Sequence, residues 1–371
     1  MIQSSIEVFN IEKIIFEFSI QGSISLIKPY GSGHINDTYF LKNQNSDYPD
    51  YLLQRINHHI FKDVPALMQN VQRVIDHLRS KLINDKEVMT IVPLKSGMLY
   101  HEDEQGNFWR MYHYLPNTKS YDLLENEHQA YEGGKAFGRF QALLADMDAS
   151  LLQETIPNFH NIEMRLECFH QSLTEDAVGR KSEVGNEIAY IVEREEGMKK
   201  LLNLGKRGVL PLRITHNDTK FNNVLLDSND KAQCVIDLDT VMPGYVAYDF
   251  GDAIRTIINT ASEDEKDLNK IQLNIKLFEA YTKGYFEEAG TMLTSAEIES
   301  LIMGVLLFPY MQAVRFLTDY IDGDTYYKIA FEKHNLQRAR AQLQLLLKME
   351  EQEDALNEII QEKAGYYLSK L

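Results

Sequence analysis

The sequence predicts an α+β fold in two lobes, a small β-rich lobe over residues 1–115 and a larger, mainly helical lobe over residues 116–371. Three observations predict it. Short β-prone runs separated by polar turns crowd the first third of the chain, with one helix inserted among them. Leu115-Pro116-Asn117-Thr118 then breaks the strand pattern. Beyond it, apolar residues recur at helical spacing almost to the C-terminus. One stretch interrupts them, residues 214–255, which mixes a histidine, several carboxylates and two adjacent asparagines with two short apolar runs.

Val8, Ile11, Ile14, Ile15 and Phe18 share a helical period, so an amphipathic helix opens the chain. Residues 23–29, 38–42 and 51–57 read as strands, the first two joined through a turn at 30–37 into a hairpin. A helix follows over 64–82, with Pro65 near its start and Leu67, Val71, Val74, Ile75 and Leu78 on one face. Strands around 89–94 and 108–114 complete an antiparallel sheet. In the second lobe the spacing predicts helices over 126–147, 162–173, 184–202, 268–288, 295–319 and 324–362, the last broken near His334-Asn335. Gly133, Gly134 and Gly138 mark where the first of these packs closely on a neighbour. The central stretch carries β-prone runs at 224–226 and 234–238.

The chain holds 55 Asp+Glu against 38 Lys+Arg, a formal net charge of -17. Nucleic acid and anionic membrane both ask for a positive surface, so neither is expected as a partner. Cys168 and Cys234 each fall inside a predicted regular element, with no spacing for a disulfide framework or a cysteine metal site. That usage fits a reducing cytoplasm. The N-terminal stretch mixes acids into its apolar positions, unlike a signal peptide. The longest apolar run, residues 301–311, is too short to span a bilayer and contains Pro309.

The chemistry is read from the central stretch. His216-Asn217-Asp218 is followed by Asn223, a strand, the turn Ser228-Asn229-Asp230 and a second strand ending in Asp237. Phosphoryl transfer asks a protein for a carboxylate to hold and deprotonate the attacking hydroxyl, and for ligands to one or two Mg²⁺ ions. Mg²⁺ takes oxygen ligands, typically a carboxylate and an amide. Asp218 suits the base, Asn223 a metal-bound amide, and Asp237 a carboxylate between the metal and the β/γ-phosphates of ATP. His216 reads as a brace for the loop, Asp227 and Asp230 as turn residues, and Asp252 with Arg255 as a local ion pair. Asp239 reads as either a second metal ligand or a charge near the metal.

Gly31-Ser32-Gly33 lets backbone N–H groups approach phosphates with no Cβ in the way. A plain hairpin turn has the same signature; placed ahead of the catalytic motif, it reads as a lid over ATP. The third strand, LLQRIN, offers no Lys to the phosphates. Arg55 is its cation, but Gln54 and Arg55 point to opposite faces, which leaves open which one meets the nucleotide.

The motif HNDTKFNNVLLD, with VIDLDTVMPG after it, resembles the aminoglycoside phosphotransferase/choline kinase superfamily and most closely its N-acetylhexosamine 1-kinases. The likeness extends forward to GSGHINDT and LQRIN and back to RFLTDY followed by Gly323-Asp324. It implies a protein-kinase-like fold, with the nucleotide on the first lobe and catalysis and substrate on the second. By motif position it implies Asp218 as catalytic base, Asn223 and Asp237 as Mg²⁺ ligands, and Asp249 as an acid holding the loop through hydrogen bonds. Adenine would bond to backbone groups in 110–116. His34, Asn36 and Asp37 would meet sugar hydroxyls. Arg315, which shares a helix face with Asp319, would donate to a hydroxyl or an N-acetyl carbonyl. The implied reaction is ATP- and Mg²⁺-dependent phosphorylation of the anomeric hydroxyl of an N-acetylhexosamine, a step of carbohydrate metabolism. Rival expectations are a kinase for choline, homoserine, methylthioribose or an aminoglycoside, and a nucleotide-binding pseudokinase. Epimer preference and oligomeric state stay open.

Overall fold

Each of two compact units, Met1–Asn117 and Thr118–Leu371, closes around its own core in the computed structural model, which describes residues 10–31, 35–82 and 84–369. The first unit runs α1 (Ile11–Glu17), β1 (Ile24–Pro29), β2 (Asp37–Asn43), β3 (Tyr51–Ile56), α2 (Val64–Lys81), β4 (Ile91–Val92), β5 (His101–Glu102) and β6 (Phe108–His113). Its strands pair antiparallel in the order β1-β2-β3-β6-β4, with β5 also on β6. Alternation fixes the faces. Leu41, Leu53, Trp109 and Met111 enter a core closed by Ile14, Ile15 and Phe18, while Gln54 and Arg110, paired in register, belong to the other face. Helix α2 starts on Asp63, whose side chain accepts from Ala66 N, and Pro65 sits in the first turn, where a missing N–H costs nothing.

The second unit runs α3 (Glu127–Leu144), α4 (Ile162–Glu175), α5 (Gly185–Met198), α6 (Lys200–Lys206), β7 (Arg213–Thr215), β8 (Val224–Leu226), β9 (Ala232–Val235), β10 (Met242–Gly244), α7 (Val246–Ile257), α8 (Ile275–Ala289), α9 (Ser295–Ile321), α10 (His334–Glu351) and α11 (Glu353–Leu368). Two small antiparallel pairs, β7 with β10 and β8 with β9, hold the central stretch. Helix α9 is the axis of the unit, packed by α7, α10 and α4. By length and composition it could cross a membrane, but 72% of its most apolar window is buried inside the protein. Helices α3 and α8 meet backbone to backbone: a Cβ on Gly138 would lie 2.6 Å from the Tyr285 carbonyl oxygen. Close packing at the α3 glycines was the expectation. An antiparallel sheet followed by a helical unit is the α+β class the sequence predicts.

Three expectations are corrected. Residues 324–333 are not helical. The Asp319 carboxylate takes the backbone N–H groups of Thr325, Tyr326 and Tyr327, which removes them from any helical ladder, and Asp324 and Lys333 are left-handed at φ 61° and 65°. The helix expected over 184–202 breaks at Lys199 into α5 and α6. That expected from 268 begins only at Ile275, after an Asn274 cap. Helix α7 was not expected. Eleven of its twelve residues are buried, so it lacks the polar face by which a surface helix is read.

Candidate active site

The site is built on the loop that leaves β7. Thr215 pairs with Met242 of β10, and the next residues are clamped by α7. Asp249 accepts from His216 N at 2.8 Å and Asn217 N at 2.7 Å, and from Gln141 Nε2 of α3 at 2.7 Å. Asp252 accepts from Thr219 N at 3.1 Å and pairs with Arg255 at 3.0 Å. Asn217 is left-handed, φ 64°, a conformation Asn tolerates better than most residues, and its Nδ2 donates to the Thr240 carbonyl. His216 is fully buried, edge-on to Phe137 and Phe140. Its Nδ1 accepts from Asp218 N at 3.3 Å, so Nε2 carries the proton and donates to the Ile236 carbonyl at 2.9 Å. Both ring nitrogens are thereby engaged in bracing the loop.

On this rigid loop the Asp218 side chain stays 21% exposed, with Lys220 Nζ at 3.1 Å. Asn223 Nδ2 donates to the Asp218 carbonyl at 2.9 Å and reaches its carboxylate at 3.3 Å. Desolvation pushes the Asp218 carboxyl up, but Lys220 foremost, with Arg255, outweighs it and holds it below its ordinary value. Lys220 is pushed up, chiefly by Asp218. Ile236 N donates to the Asn223 carbonyl at 2.9 Å, which ties the segment holding Asp237 to Asn223; Asp237 itself is left-handed. Asp239 is buried, and its carbonyl accepts from Thr155 Oγ1. Asp227 and Asp230 are turn residues: Asp227 accepts from Asn229 N and Lys231 N, and Asp230, left-handed, accepts from Tyr121 and Gln129 and pairs with Lys119. Among the described residues no group of three or more His, Cys, Asp or Glu could hold a metal ion. The residues that could hold Mg²⁺ are Asn223, through its amide oxygen, and Asp237, through its carboxylate, the oxygen ligands this ion takes.

Behind the loop, His160 Nε2 bonds the Asn217 carbonyl at 3.0 Å. Burial, with Arg315 and Arg165 nearby, holds its pKa down to about 3, against the opposing pull of the Asn217 carbonyl and Asp218. Arg315 does not pair with Asp319. It donates to Gln312 Oε1 and lies 5.6 Å from the Tyr327 ring, while Asp319 holds the segment after α9. In the first unit Arg55 pairs with Asp37 and reaches Asn107 Oδ1 at 3.3 Å, and Asn36 Oδ1 accepts from Asn57 N. Gln54 accepts from the buried Arg110 and donates to Thr38. Gly31 is left-handed, with open space where a Cβ would be; Ser32, Gly33 and His34 lie outside the described residues. Sequence reasoning passed over Lys220, although it stands two residues from Asp218 within the same motif. It also passed over His160, Arg165 and Gln141, which lie on separate helices or loops with no motif around them.

A model of the phosphotransferase enzyme family matches residues 26–289. Among solved structures, the chain is similar to an aminoglycoside phosphotransferase from Alicyclobacillus acidocaldarius, at 12% identity over 96% of each chain with TM-score 0.63. It is similar to a choline kinase from Cryptosporidium parvum, at 16% identity over 88% of this chain and 90% of that one, TM-score 0.55. An amicoumacin kinase solved in complex with AMP-PNP, Ca²⁺ and Ami matches at 12% identity over 90% of this chain and 92% of that one, TM-score 0.58. At such identities the likeness is one of fold. The family match spans well over half of the sequence, and the chain belongs to the phosphotransferase enzyme family.

Proposed function

We propose that this phosphotransferase moves the γ-phosphoryl group of ATP to the anomeric hydroxyl of an N-acetylhexosamine, giving the sugar 1-phosphate and ADP. The observation that carries the reading is Asp218: a partly exposed carboxylate kept ionised beside Lys220, on a loop whose N–H groups are clamped by Asp249 and Asp252. Such a group can orient an attacking hydroxyl and take its proton. The anomeric hydroxyl is the most acidic of a sugar, so one carboxylate suffices. Lys220, charged and adjacent, offsets negative charge as the phosphoryl group arrives. Asn223 and Asp237 would hold Mg²⁺, which supplies charge neutralisation on the β- and γ-phosphates. On the first unit, the turn Gly31-Ser32-Gly33 would cover the phosphates and Arg55 would add a cation, acting together with Asp37. His34, Asn36, Asp37 and Arg315 would take the sugar. We place the protein in the cytoplasm, with a sugar as its partner rather than nucleic acid or membrane.

A choline or aminoglycoside acceptor needs acids around a cation; Arg165 and Arg315 beside His160 oppose that. The Asp218, Asn223 and Asp237 set speaks against a nucleotide-binding protein without transfer. Purified protein with ATP-Mg²⁺ and an acceptor panel tests the reading by ADP release. N-acetylglucosamine or N-acetylgalactosamine should be turned over; release with choline or homoserine and none with either sugar would sink it.

A further inference from the structure

We propose that Arg165, Arg315 and Arg338 form an oxyanion subsite in the helical unit, and that the acceptor carries an acidic substituent there, a carboxylate or a sulfate or phosphate ester. That the acceptor is a sugar rests on the reading above; that it is an anion does not. The guanidinium groups of Arg315, on α9, and Arg338, on α10, lie on one aromatic cluster, and that of Arg165, on α4, is close enough to Arg315, Tyr326 and Tyr327 for their charges to act on it. Arg315 lies 5.6 Å from the Tyr327 ring, Tyr327 stands 4.8 Å from both Phe316 and Tyr326, and Arg338 lies 5.5 Å from Phe316. Their hydrogen-bond acceptors are all neutral: Phe159 O for Arg165, Gln312 Oε1 for Arg315, Lys328 O and Asn335 Oδ1 for Arg338. Neighbouring carboxylates are engaged elsewhere, Asp218 with Lys220 and both Asp252 and Glu263 with Arg255.

Among the described residues, none of the three arginines forms an ion pair. Arg165 Nε, Arg338 Nε and Tyr327 Oη are buried there with no hydrogen-bond partner. Buried donors left unmade in a native protein call for an explanation. Glu263 lies near enough to Arg338 for that charge to lower its pKa, but its carboxylate is paired with Arg255. A hydroxyl or N-acetyl carbonyl satisfies a donor without offsetting charge. An oxyanion does both, and its oxygens match the planar fork of a guanidinium. Burial and Arg315 both push the Arg165 pKa down, an unfavourable pairing that a bound anion relieves. His160, bonded to the carbonyl of the residue before Asp218, links this cluster to the catalytic loop.

The test measures kcat/KM by ADP release for N-acetylmuramic acid, N-acetylglucosamine 6-sulfate and N-acetylglucosamine 6-phosphate against N-acetylglucosamine, N-acetylgalactosamine and cationic glucosamine. At least one acidic sugar should exceed every neutral one by tenfold or more, and the winning acid separates carboxylate from ester. Arg165→Met and Arg338→Met should each lower the acidic-to-neutral ratio by about tenfold, while Arg165→Lys and Arg338→Lys keep most of it. A ratio does not depend on how much of a variant folds. Equal or better use of neutral or cationic sugars, or a ratio indifferent to the Met changes, overturns the subsite. If no sugar reacts but a small hydroxy acid such as glycerate does, the sugar reading fails and the subsite stands. Turnover confined to neutral or cationic alcohols, or no turnover with any acid, overturns it.

Discussion

At Asp218 two opposed effects meet, and the sign of their balance is testable. Burial raises the carboxyl pKa, and Lys220 leads the charges that lower it. The ionised form is the base, so kcat/KM falls as pH drops through that pKa, which in the native enzyme lies below the usual carboxylate value. Lys220→Met removes the leading favourable charge and leaves burial in command. The acid limb of the pH profile should then move upward by about one unit or more. An unmoved limb would show that Asp218 is not the group being titrated. Asp218→Ala should cut turnover by about 10²–10⁴-fold with the circular dichroism spectrum unchanged; a loss of less than about tenfold would remove the base assignment. Asp249→Asn tests the clamp. Its carboxylate accepts three N–H bonds, and an amide must turn one of its own donors toward them. A loss of about 1–3 kcal/mol in denaturant unfolding is expected.

At the scale of elements, the segment after α9 shows what a local pattern leaves out. Its residues have helical spacing, but one side chain, Asp319, takes three consecutive backbone N–H groups and the Asn335 amide, and the chain becomes a loop that sets Tyr327 against Arg315. Asp319→Ala should release this segment and raise the acceptor KM more than it lowers kcat. A fall in kcat with the acceptor KM unchanged would mean the loop does not shape the acceptor site. Elements with one polar and one apolar face, such as α2 and α3, were legible from their period. Helix α7 was not, because it is buried all round, nor was the β7–β10 pair, whose three-residue strands meet across the whole catalytic loop. The candidate site divides the same way. His216, Asp218, Asn223, Asp237 and Asp249 lie within one short stretch and are tied together by the bonds that stretch makes. Arg165 and Arg338 sit on α4 and α10 with nothing local to mark them, and only tertiary packing gathers them near Arg315.

Over the whole molecule, the hydrophobic interior is divided. The core of the first unit, from Ile14 to Met111, shares no residue with the core of the second, which runs from Ala130 to Ala364. A unit with its own core can in principle fold by itself, and the second is the better placed, since larger domains bury a greater fraction of their surface. It also keeps the clamp on its catalytic loop, because Gln141, Asp249 and Asp252 all lie within it. A chain beginning at Thr118 should therefore be soluble, give a helical circular dichroism spectrum and unfold cooperatively. It should release no ADP, since Gly31 and Arg55 belong to the missing part. An unfolded fragment would show that the first unit completes the second. A fragment that folds and still turns over ATP would move the nucleotide site off the first unit.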